Sequence, residues 1–246
     1  MIIDPMALAA LWKQAFGDPD AYIQTFFQVG FDPHRCQTID IDGQLAAALY
    51  WFDCDWNRKK VAYIYAVAVD TQFRGQGLCR QLMEKTHKVL HAQKYDGAVL
   101  VPATQPLVGM YEKMGYVGIC PMSQMTILPA DTPVTVQKIS WQDYGALRQK
   151  YLPENSVAHR ARALQFFDTY GQFYAFDGGC FCAAWEEKTL HVQEFLGSAD
   201  LLPEIISALE AEKAMVRLPG GNTPFAMYHS LTQCQALPAY FGIPLD

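Results

Sequence analysis

The run Tyr63-Ile64-Tyr65-Ala66-Val67-Ala68-Val69-Asp70-Thr71-Gln72-Phe73-Arg74-Gly75-Gln76-Gly77-Leu78-Cys79-Arg80-Gln81-Leu82-Met83 decides the fold. Its first seven residues are apolar, with β-branched and aromatic side chains, and read as the end of a strand over 61–69. A polar turn follows, then a helix over about 78–93. Gly75 and Gly77 let the backbone turn sharply and approach a ligand with no Cβ in the way. The first amides of the helix have no intrahelical partner and carry the positive end of its dipole. A strand, a Gly-rich turn and a helix N-terminus in this order make an anion site suited to a pyrophosphate.

Working outward, two helices precede the run. One spans 4–16, with Asp4 as N-cap and Pro5 in the first turn, and stops at Gly17. The other spans 20–29, with Ile23, Phe26 and Phe27 at helical spacing. Residues 36–41 and 44–52 read as a hairpin around Asp42-Gly43. After the run come a short buried strand at 97–101, a helix at 105–114 ending at Gly115, and a strand at 120–128. This order describes a mixed α/β domain, a central sheet with helices on its faces, over residues 1–129.

Pro129-Ala130-Asp131-Thr132-Pro133 reads as a linker into a second, smaller domain over 130–246. There a strand at 134–139 and helices at 141–151 and 156–170 precede a hairpin (172–176 and 180–185) around Asp177-Gly178. A strand at 189–196, a helix at 201–213 and a short strand at 215–218 follow. The order echoes the first half, by an internal repeat or by the coincidence of two mixed α/β halves. In place of the Gly-rich turn it has only Gly197-Ser198-Ala199-Asp200. Gly220-Gly221 reads as a turn, and 224–231 as a strand.

The chain of 246 residues is 51% hydrophobic and 18% charged, which is a globular composition. A net charge of −6, with no basic run, gives no general attraction to nucleic acid or anionic membrane and favours cationic small molecules. No secretory pattern and no membrane-spanning run are present. The 7 cysteines match no zinc spacing, so no metal is expected, and reduced buried thiols fit a cytoplasmic protein. Oligomeric state is not readable.

The central run resembles the cofactor motif of the GNAT superfamily of N-acetyltransferases, Gln/Arg-x-x-Gly-x-Gly/Ala between a strand ending Val-x-Val and a helix. Arg74, Gly77 and Cys79 fill the marked positions, Cys79 being larger than the usual Gly or Ala, so a tighter approach to the pyrophosphate is expected. A second motif, Tyr111-Glu112-Lys113-Met114-Gly115-Tyr116, resembles the superfamily's Tyr-x-Lys-x-Gly-Phe/Tyr. Together the resemblance covers residues 4–128. It implies a GNAT-like fold, followed here by a degenerate GNAT-like domain without a cofactor of its own, and acetyl-CoA as co-substrate. The implied contacts are Val67, Ala68 and Val69 on the strand, Arg74, Gly75, Gln76, Gly77, Leu78 and Cys79 in the loop, and Thr104. Thr104 stands where an asparagine often begins the next helix, and its hydroxyl is expected to cap that helix.

The resemblance implies direct attack of a small-molecule or peptide amine on the acetyl thioester. A backbone N–H near 67–69 would stabilise the oxyanion, and Tyr111 would protonate the departing thiolate. The glutamate that many relatives carry on the strand is missing. Ordered water, Asp53, Asp55, His34 or the C-terminal carboxylate of Asp246 remain as routes for the amine proton. Trp51, Phe52, Trp56, Tyr63 and Tyr65 line either an acceptor pocket or a core face. A non-catalytic acyl-CoA-binding protein and an acyltransferase of longer acyl-CoA stay open beside the acetyltransferase.

Overall fold

The computed structural model describes residues 4–244. The chain enters through helix α1 (Pro5–Phe16), capped by the Asp4 carboxylate on the Met6 amide at 2.9 Å. Gly17 ends it at φ 74°, a left-handed value that a Cβ would strain. Helix α2 (Asp20–Thr25) runs on into a π-helical turn at Phe26–Gly30, where the sequence suggests one continuous helix. The turn buries Phe26 against Trp12, 4.6 Å between ring centroids.

Strands β1 (Cys36–Ile41) and β2 (Gln44–Trp56) form the expected hairpin. Asp42 and Gly43 take φ of 50° and 81°, the positive values that a tight two-residue hairpin turn requires. Strand β3 (Lys59–Val69) lies antiparallel to β2. Helix α3 (Leu78–Ala92) then carries the chain to β4 (Gly97–Leu100), which is parallel to β3. Helix α4 (Gln105–Glu112) and strand β5 (Val117–Ile127) complete the first half.

The second half repeats this course. Strand β6 (Val136–Ile139) and helix α5 (Trp141–Tyr151) lead to a two-residue strand β7 (Ala158–His159) and helix α6 (Ala161–Phe167). The helix expected over 156–170 is therefore shorter. Its first residues pair with neighbours instead, β7 with β2 and Ser156 with Tyr240. Strands β8 (Gln172–Phe176), β9 (Gly179–Glu186) and β10 (Thr189–Leu196) form an antiparallel meander. Helix α7 (Leu202–Ala208) is a short form of the expected 201–213 helix, and it precedes β11 (Lys213–Ser230), parallel to β10.

Strand β11 corrects the expectation for the last third of the chain. Residues 215–218 and 224–231 belong to one strand of 18 residues, and Gly220-Gly221 does not reverse it. Register is lost only between Pro219, opposite Met122, and Pro224, opposite Pro121. The prolines cannot donate to the ladder, and the glycines take φ of 126° and 85°, so the segment bulges outward. Before the bulge β11 pairs with β10, and after it with β4, while β5 pairs with it on both sides. The strand order is β1-β2-β3-β4-β11-β10-β9-β8-β6, with β5 on β11 and β7 on β2. The linker at 129–133 divides the chain, but strands from both sides of it share one sheet.

Among the buried groups, His159 packs beneath β2. Its Nε2–H donates to the Gly242 carbonyl at 2.7 Å, and Nδ1 lies 3.6 Å from Cys54 Sγ. Burial and the Arg148 charge hold its pKa down to about 3. His87 stacks on His229 at 4.4 Å and is held at about 4, by burial first and by His229 second. The unfolded chain therefore binds more protons than the folded one between these values and the ordinary 6.5. Stability from both groups is complete above that window and falls as the pH drops through it. We expect the unfolding free energy from urea titration to decline between pH 6.5 and 4, with a slope approaching about 1.4 kcal/mol per pH unit for each histidine. His87→Gln should remove its share of that slope.

Candidate functional site

The site arises where β3 and β4 part. Their parallel pairing holds from Val61 opposite Gly97 to Tyr63 opposite Val99 and goes no further. On the other side of β3 the ladder with β2 slips, with Tyr65 opposite Tyr50 and Ala68 opposite Ala48. The extra residue sits at Ala66, whose φ is 48°. A positive φ is costly for a residue with a Cβ and marks a built-in kink. It turns the end of β3 away from β4 and opens a cleft of about 1000 Å³.

Of the residues expected to bind cofactor, Val67 and Thr104 line this cleft. Tyr111 lines it from α4 and is only 6% exposed. Burial, with Cys79 nearby, holds the Tyr111 hydroxyl well above the ordinary tyrosine value, so it stays protonated. Ala68 and Val69 continue β3 beyond the cleft wall, paired with Ala48 and Ala47. Arg74, Gly75, Gln76, Gly77, Leu78 and Cys79 follow at the start of α3 rather than in the cleft lining. Arg74 is exposed, and its Nε donates to the Val69 carbonyl at 3.3 Å. Gly75 and Gly77 take φ of 79° and 77°, with open space where a Cβ would stand. Gly77 caps α3 and provides no side-chain acceptor, so the first-turn amides receive no capping side chain. Asp70 is occupied locally, accepting from the Gln72 amide at 2.8 Å.

Several expectations need correction. Thr104 is the N-cap of α4, yet its hydroxyl makes no capping bond. Cys79 is half-buried and packs against the cluster that contains Leu78, Leu82 and Tyr111. Trp51, Phe52 and Trp56 are core residues, and only Tyr63 and Tyr65 of that group line the cleft. The candidate bases Asp53, Asp55 and His34 do not line it either. Asp53 accepts from Arg35 at 2.6 Å and contacts the Tyr95 hydroxyl. Burial pushes its pKa up, but these donors and the Arg35 charge outweigh that and hold it low. Asp55 pairs with Arg160 at 2.6 Å. Asp246 lies outside the described residues.

The second half adds cleft residues that periodicity could not reveal, among them Tyr170, Gln193, Arg217 and Phe225. Trp12, Asp18 and Tyr22 arrive from the opening helices. Where the second half repeats the β3 bulge, its place is filled. The β9–β10 ladder slips at Gln193, and Glu194 next to it is buried with Arg148. Arg148 donates to both carboxylate oxygens at 2.7 and 2.9 Å, and Tyr144 and Tyr240 donate at 2.5 and 3.1 Å. Among the described residues no group of three His, Cys, Asp or Glu side chains could hold a metal ion, and no helix is long and apolar enough to cross a membrane.

A parallel strand pair splayed beside a bulge thus leads into a Gly-rich turn and a helix start without a capping side chain. Residues 5–118 match the family model described as acetyltransferase (GNAT) domain. The whole chain has the fold of solved GNAT proteins. A GCN5-related N-acetyltransferase from Anabaena variabilis matches with a TM-score of 0.72 at 18% identity, covering 95% of this chain and 72% of that one. One from Kribbella flavida matches with a TM-score of 0.70 at 16% identity, covering 94% and 71%. A tandem GNAT protein from the clavulanic acid biosynthesis pathway matches with a TM-score of 0.55 at 9% identity, covering 94% and 96%. No curated protein matches the chain.

Proposed function

We propose that the protein is an N-acetyltransferase that moves an acetyl group from acetyl-CoA to a primary amine. The observation that supports this reading is Tyr111, with a hydroxyl that burial keeps protonated, among the residues that line the cleft opened by the parting of β3 and β4. Open space at Gly75 and Gly77 and the uncapped start of α3 fit a pyrophosphate. The amides of Gln76, Gly77, Leu78 and Cys79 would hold it, with Arg74 supplying the positive charge. Val67, Ala68 and Val69 would receive the pantetheine arm, and Thr104 would flank it from α4. Acetyl-CoA supplies the thioester whose C–S bond breaks as the amine nitrogen bonds to the carbonyl carbon. A backbone N–H of residues 67–69 stabilises charge on the carbonyl oxygen. Tyr111 gives its proton to the departing sulfur and is reprotonated from water, which carries away the proton released by the nitrogen. The cleft walls bring the two reactants together.

Calorimetric titration with acetyl-CoA tests the cofactor half of this reading. Wild type should bind with an affinity in the micromolar range. Arg74→Glu, which sets a negative charge against the pyrophosphate, should weaken binding by about 100-fold. Folded wild-type protein that is free of copurified CoA and does not bind would overturn the reading.

A further inference from the structure

The polar groups of the cleft have an uneven chemistry. Among its lining residues there is one carboxylate, Asp18, and one cation, Arg217. Arg217 is already engaged, donating to the Pro244 carbonyl at 3.3 Å and lying 4.3 Å from the Phe225 ring centroid. Asp18 accepts from the Trp12 indole N–H at 2.7 Å. Its neighbour Lys13 lies against the Asp18 backbone carbonyl and pairs with Asp20 at 3.0 Å. The Trp12 ring that donates to this carboxylate belongs to an aromatic cluster that lines the same cleft. Trp12 is 5.7 Å from Tyr65 and 6.3 Å from Tyr22, and Tyr22 is 4.4 Å from Tyr170. A carboxylate beside an aromatic cluster is a setting for an ammonium group.

A second, independent observation comes from the other half of the chain. Gln193 is the extra residue of the β10 bulge and lines the same cleft. Its side-chain oxygen Oε1 is buried and has no hydrogen-bond partner among the described residues. A buried acceptor without a donor is costly, and a ligand N–H would satisfy it. Both features call for donors, and neither recognises an anion.

We propose that the acceptor is a di- or polyamine, with the ammonium that does not react held by Asp18 among the rings of Trp12, Tyr22 and Tyr170, and an N–H received by Gln193. This rests on the amine transfer proposed above and narrows its substrate class. It also gives the second half a task, since Gln193 approaches the acceptor from beyond the linker.

The test is equilibrium binding of 1,4-diaminobutane and of butylamine, amines of equal chain length, to full-length protein with and without bound CoA. The diamine should bind at least about ten-fold more tightly than the monoamine. Asp18→Asn and Gln193→Leu should each cut that preference by about ten-fold. CoA affinity serves as the control for folding in each variant, and Gln193→Asn as a milder second variant. Equal binding of the two amines, or a preference untouched by both substitutions, would overturn the proposal while leaving acetyl-CoA binding intact. Loss of CoA binding by wild type would instead remove the transferase reading, and the amine preference would still be scored on the CoA-free protein.

Discussion

Arg148→Met should destabilise the protein by about 3–5 kcal/mol, because it leaves the Glu194 carboxylate buried with no cation. Both side chains are nearly inaccessible, at 2% and 0% exposure. Burial alone would push the Glu194 pKa up, yet the Arg148 charge, its hydrogen bonds and the Tyr144 donor hold it below the ordinary range. A carboxyl with a depressed pKa adds stability at neutral pH, and that stability is lost as the pH falls through its folded value. In the variant the carboxyl loses its cation and its pKa should rise. Stability should then improve on mild acidification, the opposite trend to wild type. For a chain of this size the expected loss lowers the melting temperature by about 10 °C or more. Differential scanning calorimetry reads both effects. The double variant Arg148→Met/Glu194→Leu should recover most of the loss, since a buried pair replaced by apolar groups is often close to neutral. A single variant as stable as wild type would mean that the network contributes nothing.

Removing the Tyr111 hydroxyl should have the largest effect on turnover. Tyr111→Phe keeps the ring that packs 5.7 Å from Tyr116 and deletes only the proton donor. If that proton reaches the leaving sulfur, kcat should fall by about 100-fold or more, the usual contribution of a positioned acid. The KM for acetyl-CoA should stay within about two-fold, because the pyrophosphate contacts proposed above lie at 74–79. Burial keeps the hydroxyl protonated above the ordinary tyrosine range. Wild type should therefore show no decline in kcat between pH 8 and 10 from loss of this proton. A kcat close to wild type in Tyr111→Phe would assign the proton to water.

Much of the frame is legible in the chain. Strands 36–41, 172–176 and 189–196 and helix 141–151 have the bounds that their patterns imply. Each is bounded by a strong local signal such as Asp42-Gly43 or the Ser140 cap. The Gly-rich turn and the short helix that carries Tyr111 are also legible, because both are local devices. The shape of the cleft is not. It depends on the bulge at Ala66, a residue with no preference for positive φ, which tertiary packing imposes. Asp18 and Gln193 gain their meaning from being brought to one cleft from positions 175 residues apart. The course of β11 was hidden for a related reason. Prolines and glycines at 219–224 look like the end of a strand, whereas here they let one strand serve two neighbours in turn.

That crossing strand orders events during synthesis. Met227 pairs with Leu100 and Tyr228 with Val99, so the β4 edge stays unpaired until the ribosome has released residue 230. Strand β5 likewise waits for β11 along its whole length. For most of translation, the nascent first half presents two open strand edges, which are ready templates for aberrant pairing. Neither half can close its sheet on its own, so the first half completes its sheet only once residues 213–230 are available to pair with it.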